Sequence, residues 1–368
     1  MGTKAKAVIC REHNKPVVVE EIDVAAPQRD EVLVKISACG VCHSDHSAVT
    51  GTLPLTPPLV LGHEGAGTVV ELGEGVTEVA VGDSIVASWI PMCGTCRYCI
   101  AGKPWLCDIS MTRGTSMPDG TSRLTDAKGN ALNHFASTSV MAEYAVLHKK
   151  ACIRIDPEIP SDRAALIGCG VMTGVGAALN TARVEPGSSV AVVGTGGIGL
   201  NVIQGAALAG AESIIAVDTA DNKLEFARTF GATHTVNPKR DGDPVAKVMS
   251  LVPGGVDHAF ECIGLAATIT QVYNMICKGG KAIVVGVAPM TDMVTLPALL
   301  MPFQEKVLTG SMYGSARPAY DFPRLLSLYK AGKLKLDELV TQTYSIDDAP
   351  QAFEDLTQGA NARGVIVF

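Results

Sequence analysis

The sequence is poor in aromatic residues. Phe, Trp and Tyr make up 5% of its 368 residues, so Val, Ala, Leu and Ile must build the core. Basic residues are not in excess: 30 Lys and Arg against 37 Asp and Glu leave a formal charge of −7, with no basic block to offset it. Binding to nucleic acid or to an anionic membrane therefore has no electrostatic support. Long unbroken apolar runs are missing as well. The uncharged stretches Ala164–Ala182 and Pro186–Ala211 are interrupted by repeated glycine. They read as buried α/β core rather than as the ~20-residue spans a bilayer requires. After Lys4 and Lys6 the only apolar run is Ala7–Cys10, too short for the h-region of a secretory signal, and the expectation is a cytoplasmic protein.

What is abundant is glycine, at 38, and cysteine, at 11. In a cytoplasmic chain the cysteines are not read as disulfides. The length suggests about two domains at ~150 residues each. The first part reads as short β segments punctuated by Gly, Pro and Asp: Val17–Val19, Glu31–Ile36, Gly67–Leu72 and Asp83–Ser88. Residues 108–135 are polar and turn-rich and read as a long surface loop or an insertion. Further on, strands alternate with helices: Val190–Val193, Ile198–Ala209, Ser213–Val217, Asp221–Thr229, Val256–Glu261, Ala266–Met275 and Lys281–Gly286. That alternation predicts a doubly wound parallel sheet. Tyr320–Ala331 and Ala349–Gln358 read as amphipathic helices, and Gly364–Phe368 as a closing strand.

The strongest local motif is Cys93-x2-Cys96-x2-Cys99-x7-Cys107. Four thiolates at this density close a tetrahedral Zn²⁺ site with no open position, which makes it structural. The alternatives are four free thiols or an iron–sulfur cluster. The bacterial cluster run ends C-x3-C-P, however, and here the last gap is seven residues and Asp108 follows.

The second motif is Gly194-x-Gly196-Gly197-Ile198-Gly199, which follows the strand ending at Val193 and opens a helix. Glycines there permit a tight turn and close approach of a pyrophosphate to the helix N-terminus. Asp218 ends the next strand, 19 residues after Gly199. Its carboxylate can accept from ribose hydroxyls and repels a 2′-phosphate, which favours NAD over NADP. The remaining candidates are dispersed: Gly40-Val-Cys42-His43-Ser44-Asp45, Gly62-His63-Glu64-Gly65 and Gly168-Cys169-Gly170. Spacing alone does not unite them.

Together the motifs GVCHSD, GHEGAGTVVELGEGV, the four-cysteine run, LIGCGVMTGVGAA, VVGTGGIGL and NARGVIVF resemble the zinc-dependent medium-chain alcohol dehydrogenases over essentially the whole length. The 108–135 segment resembles the liver-type, long-loop dimeric branch, and Gln304–Leu356 resembles actinobacterial members. The resemblance implies an α/β fold: a β-rich GroES-like catalytic domain, residues 1–170 and 313–368, and a Rossmann NAD-binding domain, residues 171–312. It gives Cys42, His63 and Cys169 to a catalytic zinc with one open position, the ligand set known for alcohol dehydrogenase. Glu64 becomes an alternate ligand behind the metal, and Asp45 orients His63. Ser44 starts proton removal from the alcohol. His43 and Arg363 hold the cofactor diphosphate, Thr173, Ile198 and Val285 lie near the nicotinamide, and Lys223 lies near the adenosine ribose.

Two departures from the family follow. Ser47 stands where a relay histidine is common, so the relay ends either at His46 or through Ser47 and the cofactor ribose to water. The thiol-adduct formaldehyde branch shares Met117–Arg123, but its binding acid is replaced here by Leu53 and its arginine by Met111, with Arg113 nearby. A pocket wall of Leu53, Trp89, Phe135 and Ala136 is apolar and favours aromatic, allylic or medium-chain primary alcohols. The expectation is an NAD-dependent oxidoreductase with two Zn²⁺ per chain that interconverts alcohols and aldehydes. It is expected to be a homodimer joined through Val294–Ser311. The rivals are a thiol-adduct formaldehyde dehydrogenase and a non-catalytic zinc- and NAD-binding protein.

Overall fold

The computed structural model describes residues 2–112 and 114–368, and Arg113 lies outside them. The chain divides into two compact units, Met1–Cys169 with Arg317–Phe368, and Gly170–Ala316.

The first unit begins with ten strands: β1 Thr3–Cys10, β2 Val18–Val24, β3 Glu31–Val41, β4 Leu59–Val60, β5 Gly65–Leu72, β6 Ser84–Ala87, β7 Leu124–Asp126, β8 Asn133–His134, β9 Tyr144–His148 and β10 Cys152–Arg154. The second unit contributes β11 Ser189–Val193, β12 Ser213–Val217, β13 His234–Val236, β14 Val256–Glu261, β15 Ile276–Val284 and β16 Val307–Gly310. The returning segment adds β17 Val340–Tyr344 and β18 Arg363–Val367.

Two sheets form the first unit. One runs β7-β2-β1-β4-β8, and the other runs β10-β6-β5-β3-β18-β17 with β9 also on β3. β18 pairs antiparallel with β3, Gly364 opposite Val41, so the C-terminal strand lies beside the chain that leads into Cys42. The apolar run Ala7–Cys10 belongs to β1, whose registered partners are β2 and β4.

The described part of residues 108–135 is more than a surface loop, because it contributes β7 and β8 to a sheet. Its Gly and Asp signals mark real turns, but the turns join short buried strands at the edges of a sheet. Arg123 is 3% exposed and makes two bonds to the Glu31 carboxylate, at 2.8 and 2.7 Å, and a third to Asp119 at 2.6 Å. His134 is fully buried, and its Nε2 accepts from the Arg123 amide at 3.1 Å. Burial and the Arg123 charge push the His134 pKa down to about 3. A polar segment is thus tied down by one internal cation that the linear pattern does not reveal.

The second unit is a wholly parallel sheet in the order β13-β12-β11-β14-β15-β16. Its central strands are runs of Val, Ile and Ala buried on both faces, as helices on either side require. β11 leads directly into the helix Gly197–Leu208. A Cβ on Gly199 would lie 1.8 Å from the Gly194 carbonyl oxygen, so the turn closes only around glycine there.

Among the described residues one helix is long and apolar enough to cross a membrane, Ser161–Ala182, and 78% of its apolar window is buried within the protein.

Removing the internal cation tests how the 108–135 segment is held. Arg123→Ala strands the buried Glu31 carboxylate and is expected to cost roughly 3–5 kcal/mol of unfolding free energy in urea titrations. A loss under about 1 kcal/mol would show that the segment is held by other contacts.

Candidate active site

The strand β3 ends at Val41, and the chain turns at Cys42 into α1, His43–Thr50. Asp45 occupies the first turn of α1 and is fully buried. Its carboxylate accepts from the Cys42 amide at 3.2 Å, closing a capping box, and from the Gly62 amide at 2.9 Å. The same carboxylate lies 3.3 Å from Nδ1 of His63. One side chain therefore fixes both the Cys42 turn and the His63 segment. Thr138 and Ser139 hold that segment from the other side, through bonds to the Gly62 carbonyl at 3.1 Å and the Val60 carbonyl at 2.9 Å.

Cys42, His63, Glu64 and Cys169 converge, with their ligand atoms within 4.8 Å of one another and all four side chains buried. His63 is the most informative member. With Nδ1 facing Asp45, its Nε2 is buried and has no hydrogen-bond partner among the described residues. Burial alone would lower its pKa, but the Asp45 carboxylate and the nearby Cys42 sulfur outweigh burial and hold it well above the ordinary value. The Cys169 thiol, aided by His63, draws Cys42 far below the usual thiol range against the effect of burial. The same pairing and burial drive Cys169 upward. An orphaned imidazole nitrogen between two sulfurs is the donor set that Zn²⁺ prefers, so the residues fit that ion.

Glu64 belongs to the same buried cluster. Burial raises its pKa to about 7 even though it is ion-paired with Arg363. Its carboxylate fits only because residue 40 is glycine: a Cβ there would come within 2.1 Å of Glu64 Oε2. Arg363, which the resemblance gives to the cofactor diphosphate, is 5% exposed and has its guanidinium on Glu64.

The other expected residues of this unit fall around the cluster. Ser44 is half-buried, and its hydroxyl accepts from the Cys42 thiol at 3.8 Å. His43 is exposed at the start of α1. His46 is half-buried on the same helix, and burial lowers its pKa. Trp89 and Phe135 both meet the His63 ring edge-on, with centroids 6.4 and 5.0 Å away. Leu53 and Ala136 pack on the core that contains Phe135. Ala136, Ser137 and Ser139 all have positive φ, between 51° and 55°. This strained turn was not expected; the only hint was the Ser/Thr-rich run after Phe135. Sequence reasoning also passed over His13, whose Nδ1 lies 3.1 Å from the Ala48 carbonyl in the last turn of α1.

A second cluster joins Cys93, Cys96, Cys99 and Cys107, again with all four sulfurs within 4.8 Å. Amides point at the sulfurs: Thr95 and Cys96 donate to Cys93 at 3.3 and 3.2 Å, and Cys93 donates to Cys107 at 3.4 Å. Burial opposes ionisation of Cys93, but bonds from Thr95 and Cys96 prevail and bring its pKa to about 6. Four sulfurs so arranged fit a closed tetrahedral metal site.

In the second unit, no atom lies within 4 Å of where a Cβ on Gly196 would sit, leaving an open cradle at the start of the helix Gly197–Leu208. Asp218 follows directly on the last residue of β12, and its Oδ2 accepts from both the amide and the hydroxyl of Thr195, each at 2.9 Å. Ile198, Thr173, Lys223 and Val285 are all half-buried. Val285 is fixed by its amide bond to the Glu261 carbonyl at 2.8 Å. The cradle and the acidic strand end fit a dinucleotide.

Residues 28–157 match the alcohol dehydrogenase GroES-like domain, and residues 197–331 match the zinc-binding dehydrogenase domain. An alcohol dehydrogenase zinc-binding domain protein from Burkholderia ambifaria is 32% identical over the full length of both chains, with a TM-score of 0.96. The benzyl alcohol dehydrogenase of Acinetobacter calcoaceticus is 33% identical, with a TM-score of 0.92, over 100% of this chain and 99% of that one. A putative zinc-binding dehydrogenase from Sinorhizobium meliloti, bound to NADP, is 28% identical with a TM-score of 0.81 over the full length of both chains. The chain belongs to the zinc-binding medium-chain alcohol dehydrogenase family, with its GroES-like and Rossmann domains.

Asp45 is open to a direct test. Asp45→Asn keeps the shape of the carboxylate but removes the charge that faces His63. It is expected to weaken metal binding at the Cys42 site by roughly 10–100-fold in chelator competition, while the four-cysteine site is unaffected. Equal loss at both sites would point to general unfolding.

Proposed function

We propose that this protein is an NAD-dependent zinc alcohol dehydrogenase that oxidises primary alcohols to aldehydes reversibly. It would carry one catalytic and one structural Zn²⁺ per chain. The observation that carries the reading is the buried convergence of Cys42, His63 and Cys169 around an unpartnered His63 Nε2, in a chain of this family.

Zn²⁺ held by Cys42, His63 and Cys169 supplies a Lewis acid that lowers the pKa of an alcohol hydroxyl. Ser44, in the first turn of α1 and beside Cys42, is placed to accept that proton. His46 or Ser47 on the same helix passes it outward. Trp89 and Phe135, set edge-on to His63, keep water from the reacting oxygen and give the substrate an apolar seat. Asp218 and the Gly194–Gly199 turn would hold NAD, which when bound would supply the hydride acceptor. Glu64, with its charge balanced by Arg363, is a reserve donor behind the metal ligands. Cys93, Cys96, Cys99 and Cys107 hold the structural ion.

The aromatic wall beside His63 and the benzyl alcohol dehydrogenase relative both support aromatic or longer primary alcohols as substrates. Elemental analysis together with absorbance at 340 nm tests the whole reading. Two Zn²⁺ per chain are expected. Cys42→Ser should abolish turnover and keep the fold, whereas Cys93→Ser should lose the other ion and destabilise the protein. Benzyl, cinnamyl and hexyl alcohols should exceed ethanol in kcat/KM, mostly through lower KM, because added apolar contact stabilises ground and transition states alike. Trp89→Ala should erode that gain. A preference for an S-hydroxymethyl thiol adduct, or activity without zinc, would overturn the reading.

We further propose a homodimer. Large apolar side chains are exposed through residues 287–307, among them Met290 at 88%, Met293 at 82%, Leu299 at 74% and Phe303 at 74%. The adjoining strand β16 is an edge strand, with its outer backbone free to pair. A second copy would cover this surface by joining β16 to its own equivalent. Light scattering should give twice the chain mass, and Phe303→Glu with Leu299→Glu should shift it to monomer. A wild-type monomer would refute the assembly.

A further inference from the structure

We propose that Thr195 is the positioning residue that aims Asp218 at the cofactor's adenosine ribose and thereby sets the discrimination between NAD and NADP. The inference rests on the reading that the Gly194–Gly199 turn binds NAD.

Thr195 sits between Gly194 and Gly196 and is 2% exposed. Its amide and its hydroxyl both donate to Asp218 Oδ2, at 2.9 Å each, and the Ala220 amide donates to Oδ1 at 3.1 Å. An ionised carboxylate offers about four lone-pair positions. Three are taken by the protein's own donors, two on Oδ2 and one on Oδ1. What remains for a ligand is chiefly one position on Oδ1. That capacity suits a hydroxyl donor and leaves the carboxylate charge fixed where a 2′-phosphate would sit.

The neighbouring cations do not hold Asp218 in place. Arg240 pairs with Asp221 at 2.6 Å and with Asp241 at 3.0 Å, while Asn237 donates to Asp221 at 2.9 Å. Lys223 lies on the following helix, and among the described residues no ion pair joins a cation to Asp218. The amide bond from residue 195 is available to any residue at that position. The hydroxyl bond is the part that threonine itself contributes. Without it, only the two amides, one on each oxygen, still hold the carboxylate, and the Asp218 charge is fixed less firmly where the ribose would lie.

The test is equilibrium binding of NADH and NADPH, followed by nucleotide fluorescence, on the intact protein and on four variants. Wild type should bind NADH more tightly than NADPH. Thr195→Val, and Thr195→Ala as a second probe, should lower the NADPH-to-NADH ratio of Kd by roughly fivefold or more, since a hydrogen bond to a charged group is lost. Thr195→Ser keeps a hydroxyl and should restore the wild-type ratio. Asp218→Asn should abolish most of the discrimination. If Thr195→Val and Thr195→Ala keep the wild-type ratio, or if Thr195→Ser loses it as they do, Thr195 has no such role while the NAD reading stands. If wild type prefers NADH but Asp218→Asn leaves the ratio unchanged, the carboxylate that Thr195 holds is not the discriminator and the proposal fails while the NAD reading stands; if wild type binds both nucleotides equally, the NAD reading itself fails.

Discussion

A single buried carboxylate organises the cluster of cysteine, histidine and glutamate side chains in the first unit. Asp45 accepts from the Cys42 and Gly62 amides and faces His63, so two chain segments 17 positions apart share one anion. Burying that charge is tolerable because amides and an imidazole surround it. The consequence reaches the metal donors. With Nδ1 committed to Asp45, His63 can present only Nε2 to the space between the two sulfurs. The aromatic wall follows as well, because Trp89 and Phe135 pack against the imidazole that Asp45 has oriented.

The second unit solves a similar problem with backbone rather than side chains. Its parallel strands end together, and the turn after β11 closes tightly enough that Gly199 meets the Gly194 carbonyl. That closeness leaves the open face at Gly196 and brings Thr195 to the end of β12. In both units, then, chemistry sits where a strand gives way to a helix: Cys42 between β3 and α1, and Gly196 between β11 and its helix. Relatives sharing about a third of the sequence keep the same architecture from end to end.

What could be read from the sequence depended on distance along the chain. The four-cysteine cluster was legible because its sulfurs lie within fifteen residues of one another, and the Gly-rich turn because strand, loop and helix are consecutive. Asp221–Thr229 and Ala266–Met275 came out at their observed bounds because their periodicity is strong. Cys42, His63 and Cys169 were joined only by resemblance, since no local rule spans such gaps. The 108–135 segment was misjudged for the same reason. Its anchor, Arg123, finds Glu31 across 92 positions, and polarity without its partner looks like a loop. The positive-φ turn at Ala136–Ser139 left almost no trace, because hydroxyl bonds to distant carbonyls impose it, not glycine.

The place of β18 has a bearing on the order in which the protein comes together. Glu64 meets its counter-ion Arg363 only 299 positions later, after the whole second unit has been made. At ribosomal rates of roughly 5–20 residues per second, that interval is on the order of 15–60 seconds. During it the sheet containing β3 has an open edge where β18 will lie, and Glu64 has no cation. The Rossmann unit, contiguous in sequence, has no such wait. The first unit is therefore completed after the second, and the cluster of Cys42, His63, Glu64 and Cys169 acquires its counter-ion Arg363 only when β18 is added.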